Sequence, residues 1–508
     1  MTHLNLNQTT SSIEVVSSTI IDKLYELAKT NLDETSNVQG NLQVNHAYED
    51  AISYLLNKYT NLQISVTGGT YIRFADSVVQ SICATNWGDG TGLTLAQAMS
   101  ISSFGVVFYG NTNIINFKEL PKFVNLKNIG NDFNGCTNLV NIDLSNITYI
   151  GGQAFSGCTN LKYIGNLSLN EINERQCFLN CTSLIGMSQE KPYIDLSSVT
   201  IRSSVNAYRC FQGCTSLTRI ILSKTLNWIE LSLVSGCTNL ITVEFDNVVT
   251  IIKSAAFNGC NKLANVGDFS NVTTIENSAF YLCRAITTIN LTNLCNSIAD
   301  NAFNGCTLLR VLGDLSSLLV LSASVFQNCP ALTSVNLSIK CTSIGANAFQ
   351  NCTSLISVGD LSNITSIGGS SFQTCSKLLS TNISNKCTSI GTVGFRDCVL
   401  LTTIGDTTGL TTVSDYCFYG CTLLDKFELD VNCTSIGNNG FANCTHLRYL
   451  KINGTSVVLN YISALTNTTC KIYVPDDSVA AYKAANNWST YASRIFSLTQ
   501  FATDFSNG

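Results

Sequence analysis

The chain has 508 residues, with 28 basic and 33 acidic side chains, 3 His, 4 Pro and 23 Cys. Only 12% of the residues are charged, against roughly a quarter in ordinary soluble domains. A net charge of −5 with no basic block excludes a nucleic-acid binder held by phosphate contacts, and three His leave few ways to build a His-based metal or acid–base centre. Mean hydropathy is +0.20, yet no run of about 18 apolar residues occurs, so no membrane insertion is expected.

The opening segment MTHLNLNQTTSSIEVV has neither a basic nor an apolar leader region, so no Sec-type signal is expected. In residues 12–30, Val15, Ile20, Leu24 and Leu27 recur at helical spacing, and residues 47–59 read as a second helix. Residues 61–66 alternate as a strand, and residues 75–87 read as a third helix. Residues 1–124 are therefore expected to be a small α+β N-terminal domain that anchors or caps the remainder of the chain.

From there a Phe-x-x-Cys unit dominates. It occurs at Phe133/Cys136, Phe155/Cys158, Phe178/Cys181 and Phe211/Cys214, and continues from Phe257/Cys260 to Phe441/Cys444. Cys237 keeps the register with Val234 in the Phe position. The interval is 23 residues throughout Cys214, Cys237, Cys260, Cys283, Cys306, Cys329, Cys352, Cys375, Cys398, Cys421 and Cys444. Fixed spacing of this kind marks a solenoid of 14 turns, each too small to bury its own apolar side and stable only by stacking. Within a turn, alternation around Val335 and Leu337 marks a short strand. Ile344-Gly345 ends a second extended piece, with Gly345 suited to a corner that needs positive φ.

A 46-residue period is superimposed, carried by Gly-Asp at Asp268, Asp314, Asp360 and Asp406 and by Cys295, Cys341, Cys387 and Cys433. One turn away, the Cys295 column holds Val272, Leu318, Ile364 and Leu410, so it is apolar core. Cys177, Cys210 and Cys417 stand where other turns have Ala. The repeat thiols are thus expected to be free and structural, forming an internal ladder whose S–H groups donate weakly to turn backbone. Stacked rungs hold their Cβ vectors parallel, which disfavours disulfides. The Asp column is expected to cap turns by accepting backbone N–H groups.

The pattern Leu-x-x-Val-x-Leu…Thr-Ser-Ile-Gly-x-x-Ala-Phe-x-x-Cys-x-x-Leu, clearest at residues 332–355 and 424–447, resembles the BspA-like leucine-rich repeats. The resemblance covers residues 125–450. It implies a repeat solenoid, a β-rich right-handed leucine-rich-repeat superhelix, and a binding or adhesin role rather than an enzyme. The closing residues 451–508, with Lys471-Ile-Tyr-Val-Pro475 and an Ala-rich stretch, resemble the family's strand–helix C-terminal cap, in which Asp476 and Asp477 are expected to N-cap the helix. The stretch beginning Gly88-Asp89-Gly90 resembles a calcium-loop-like insert seen before some such repeats. It is two residues shorter and keeps only Asp89 as a carboxylate, so a metal-free turn is expected.

No catalytic constellation is present, and no cofactor or metal is expected. His446 reads as an exposed turn residue. The candidate binding element is the enlarged turn between Cys181 and Cys214, which carries ten extra residues within 188–202. Insertions in a solenoid collect on its binding face, and Tyr193, Arg202, Tyr208 and nearby Trp228 are interface-type residues. An adhesin-type repeat array without an export signal suggests a bacteriophage virion protein: a fibre or tail appendage, homo-oligomeric, docked to other virion proteins by its N-terminal domain and binding a host-surface glycan or protein. The alternatives are a cell-surface adhesin and an intracellular scaffold.

Overall fold

A computed structural model describes residues 38–42, 62–66, 71–167, 171–172, 175–199 and 208–505. The helices expected over 12–30 and 47–59 lie outside these residues. The chain divides into two compact units, Met1–Leu226 with Gly236–Leu240, and Asn227–Ser235 with Ile241–Gly508.

In the first unit, the strand Leu62–Val66 pairs in parallel with Val38–Leu42. The expected third helix runs Ser77–Trp87, starting two residues later because Asp76 is its N-cap and accepts Val78 N at 2.8 Å. Repeat strands come next as parallel pairs, Asn116–Phe117 with Asn141–Ile142 and Asn128–Ile129 with Tyr149–Ile150. Phe108, Phe133, Phe155, Phe178 and Phe211 form one stack, with centroids 5.2–5.4 Å apart. The stack begins one turn before the first Phe-x-x-Cys unit, because Phe108 occupies a rung whose Cys position is Asn111.

The second unit repeats the same coil. Its two short strands per turn pair in parallel with their equivalents on neighbouring turns, mostly 23 residues away as in Ser343↔Ser366 and Ile344↔Ile367, and 22 where the register shifts, as in Leu337↔Gly359. Leu291, Leu337 and Ile383 close the inward side of the first strand, where burial alternates strictly. A second Phe stack runs from Phe257 to Phe441 at 4.8–5.8 Å per rung. The fold is a parallel β-solenoid of about 16 turns.

The thiols complete the core. All 23 Cys are free and buried. In the first unit Cys158 Sγ donates to Phe133 O at 3.0 Å, Cys181 to Phe155 O at 3.0 Å, Cys214 to Phe178 O at 3.2 Å and Cys237 to Phe211 O at 3.1 Å. In the second, Cys260 donates to Val234 O, and every later member up to Cys444 donates to the Phe carbonyl of the preceding turn at 3.0–3.2 Å. Each thiol therefore fills a small apolar site and gives a weak second hydrogen bond to a Phe carbonyl, most of which also accept the Cys N–H of their own turn, as Phe155 O accepts Cys158 N at 3.1 Å. Cys295 and Cys341, together with Cys387 and Cys433, bond the carbonyl two residues on at 3.5–3.9 Å. Cys83 and Cys470, which no repeat column explains, are buried in the N-terminal helix and beside Thr468.

Two sequence expectations are corrected. Gly345 does not need a positive φ; a Cβ there would lie 2.6 Å from Ala323 N on the preceding rung. Positive φ falls instead two residues before each repeat Phe from Phe155 on and one before each repeat Cys, mostly at Asn, Ser or Gly, as at Asn347 and Asn351. Asp476 and Asp477 do not cap a helix. They lie in the 3-10 turn Asp476–Ser478, and the helix Val479–Ala484 has Ser478 at its N-cap without a side-chain bond.

The cap is also longer than a strand and one helix. Its strand Lys471–Val474 gains a parallel partner, Ile495–Ser497, which leads into the helix Leu498–Asp504. The terminal strand Val458–Leu459 is sealed by side chains. Tyr482 Oη bridges Val457 N and Gly454 O, Trp488 Nε1 donates to Val457 O, and Asn487 donates to Leu459 O. Edge amides and carbonyls that would template another strand are thereby occupied.

Candidate binding surface

Outward positions of the coil carry hydroxyls whose hydrogen-bonding groups are largely spent. Thr365 Oγ1 donates to Thr342 O at 3.0 Å and Thr434 Oγ1 to Thr411 O at 3.2 Å. The Asp column does the same work at the corners: Asp314, Asp360 and Asp406 accept Ser316 N, Ser362 N and Thr408 N at 2.8–3.0 Å. Those backbone bonds hold the Asp314 and Asp360 carboxyls below the ordinary range. His446 is exposed, with Nδ1 2.9 Å from Thr422 O.

At the glycine-rich segment, the Asp89 carboxylate is consumed within its own turn. It bonds Tyr71 Oη, Thr91 Oγ1 and the N–H groups of Thr91 and Gly92. The tyrosine and threonine bonds are the main reason its carboxyl lies well below the usual range. Among the described residues no group of three or more His, Cys, Asp or Glu could hold a metal ion.

The enlarged turn begins on the first strand of its coil. Met187 N donates to Lys191 O at 3.0 Å and Tyr193 O at 3.1 Å, and Lys191 N returns to Ser188 Oγ at 3.1 Å. Residues 188–191 therefore form a tight turn, after which Ile194–Asp195 rejoins the ladder beside Ile220 and Ile221. Gly186 is required where the loop comes back, since a Cβ would meet Lys191 O at 2.6 Å.

Tyr193 is half-buried, with the Arg219 guanidinium 4.6 Å from its ring centroid. Tyr208 lies between Arg175 at 4.9 Å and Arg209 at 5.9 Å, both exposed. Arg202 lies outside the described residues. Trp228 belongs to the second unit and is engaged there: Nε1 donates to Glu230, and Lys253 sits 4.5 Å above the ring and 3.0 Å from Glu230. Arg175 and Arg219 were not legible in the sequence because the coil's register brings them onto their rings, whereas Arg209 directly follows Tyr208.

Stacked parallel strands at 23-residue spacing, with Phe, Leu and Cys columns inside, define a leucine-rich-repeat protein. The family model described as BspA type leucine rich repeat region matches residues 100–204, 190–310, 319–448 and 365–473. The chain belongs to that family.

A leucine-rich repeat protein from Bacteroides ovatus is similar in structure at 23% identity, TM-score 0.49, over 63% of this chain and 83% of that one. A leucine rich cell surface protein from Faecalibacterium prausnitzii is similar at 21% identity, TM-score 0.36, over 68% and 85%. No curated protein matches the chain.

Proposed function

We propose that the chain is a non-enzymatic attachment protein, carried as a fibre or tail appendage of a phage particle, that binds a host-cell surface through its repeats. The observation that carries this is the set of 23 buried thiols, none of them in a disulfide. A coil packed with reduced Cys suits folding in a reducing cytoplasm, whereas oxidising export would let exposed thiols pair wrongly before the coil closes. A virion protein folds inside the cell and acts outside it after release.

In this reading the N-terminal residues dock to other virion proteins, the chain is a homo-oligomer, and the solenoid presents the enlarged turn to a surface glycan or protein. Tyr193 and Tyr208, each under guanidinium groups, are the contact side chains within the first unit. Arg202 belongs to the same enlarged turn.

Mass spectrometry of purified particles tests the placement. The chain at stoichiometric abundance supports it. Its recovery from the cell envelope instead favours a cellular adhesin, and recovery from cytosol alone favours an intracellular scaffold.

A further inference from the structure

In the second unit, the residues that follow each Phe and precede each Cys form two adjacent amide ladders. Asn304 Nδ2 donates to Gln327 Oε1 at 2.8 Å, Gln327 to Gln350 at 2.5 Å, and Gln350 to Gln373 at 2.6 Å. Beside them Asn351 donates to Asn328 at 2.8 Å and Asn328 to Asn304 at 3.3 Å. The next rung carries Arg396, placed by Thr374 N donating to Arg396 O at 2.8 Å. Its guanidinium lies 5.2 Å from the Tyr419 ring and 5.9 Å from Tyr416, and those rings are 5.8 Å apart.

The chemistry of this face is narrow. Within the ladder columns the charges are Arg396 and Asp397, which pair at 3.2 Å, while the exposed Asp415 beside Tyr416 accepts Asn438 N at 2.7 Å. Gln327 and Gln350 each spend one N–H and one lone pair on their neighbours, which leaves one donor and one acceptor site on those rungs, whereas the buried Asn304 also donates to Asn301. Tyr416 and Tyr419 are half-exposed at one end. Tyr416 also holds φ at +55, in a column where Asn301, Asn347 and Asn439 take the left-handed conformation at less cost.

We infer that the face formed by Gln327, Gln350, Gln373, Arg396, Tyr416 and Tyr419 binds an uncharged polysaccharide. Ring hydroxyls pair with the amides, and one sugar's C–H face lies on the tyrosine rings. The ladder amides carry no charge and offer a polymer hydrogen bonds rather than ion pairs. The inference rests on the reading of the chain as an attachment protein, and it sits apart from the enlarged turn.

The test is native affinity electrophoresis of the full chain in gels containing neutral glucan, mannan, galactan or xylan, with polygalacturonate as the acidic arm. Retardation by a neutral polymer is expected. The double variant Tyr416→Asn/Tyr419→Gln, which continues the amide columns without disturbing the core, is expected to weaken it at least tenfold with Tm no lower than the parent's. Retardation by no neutral polymer, retardation by polygalacturonate alone, or a variant that binds like the parent overturns the inference. A cell-binding assay run in parallel separates the two readings. Attachment to cells without neutral-glycan binding ends this inference and leaves attachment standing; binding to neither ends both.

Discussion

Asp76 Oδ2 accepts the backbone N–H of Ile115 at 2.6 Å, tying the N-terminal helix to the first strand of the solenoid. The same oxygen accepts Asn116 N at 3.0 Å, while Oδ1 accepts Val78 N and Val79 N. One buried carboxylate thus serves both as a helix N-cap and as a clamp on a strand, Asn116–Phe117, that the sheet leaves without a second neighbour. Removing it by Asp76→Ala is expected to cost about 2–3 kcal/mol, a cap plus charge-assisted bonds. In a repeat array the loss is local, so hydrogen exchange at Ile115 and Asn116 is the measurement. Exchange unchanged from the parent would contradict the assignment.

Protonation should have the same effect. Burial alone would raise the Asp76 carboxyl, but its four backbone donors together hold it below the ordinary value of 3.8. A depressed carboxyl stabilises above its unfolded value and stops doing so as pH falls through its folded one. Protection of the first turn should therefore persist at pH 5 and fade below about pH 4, read by exchange or limited proteolysis.

The thiols predict the opposite end of the pH scale. Burial pushes Cys295 and Cys387 up to about 11, and Cys237 and Cys329 up to about 12. A raised thiol stabilises fully below its unfolded value, near 9, and its contribution is lost as pH climbs toward the folded one. Tm is expected to hold to about pH 8 and fall steeply above about pH 9. At about pH 8 the folded chain should react with a thiol reagent negligibly, and all 23 Cys should react in denaturant. Fast labelling of native repeat thiols would show the ladder to be open.

Val393 is a β-branched residue at φ +65, in the column where Asn347 and Asn439 stand. Val393→Asn should stabilise by about 1 kcal/mol, since a left-handed non-glycine residue costs roughly 1–2 kcal/mol and Asn bears it best. A denaturant midpoint at or below that of the parent would mean that Val393 contributes packing that outweighs its backbone.

Deleting residues 188–202 should abolish cell attachment if the enlarged turn is the contact element. The smaller change Arg219→Ala removes the cation over Tyr193 at 4.6 Å and should weaken attachment several-fold, with stability changed by no more than about 1 kcal/mol. Undiminished attachment in both variants would remove the turn from the binding surface.

The periodicity of Phe, Cys and Leu, read from the chain alone, determined the solenoid, its 23-residue rung and the packing role of the repeat Cys. Position within a rung is a local property, and each column repeats one environment many times over. The capping role of the Asp column was legible for the same reason, because an Asx turn closes within two residues. The contacts between rungs were not legible. The acceptor of each Phe-x-x-Cys Sγ is a carbonyl on the preceding rung, 26 residues back for Cys352, and Arg219 covers Tyr193 across an irregular turn. The close approach that excludes a Cβ at Gly345 also comes from the preceding rung. Phe108 went unread because Asn111 stands in the Cys position and breaks the motif. Composition announced a chain poor in charge and rich in thiols; stacking decided that the thiols would serve as hydrogen-bonding core and that the amides of Gln327, Gln350 and Gln373 would meet as one face.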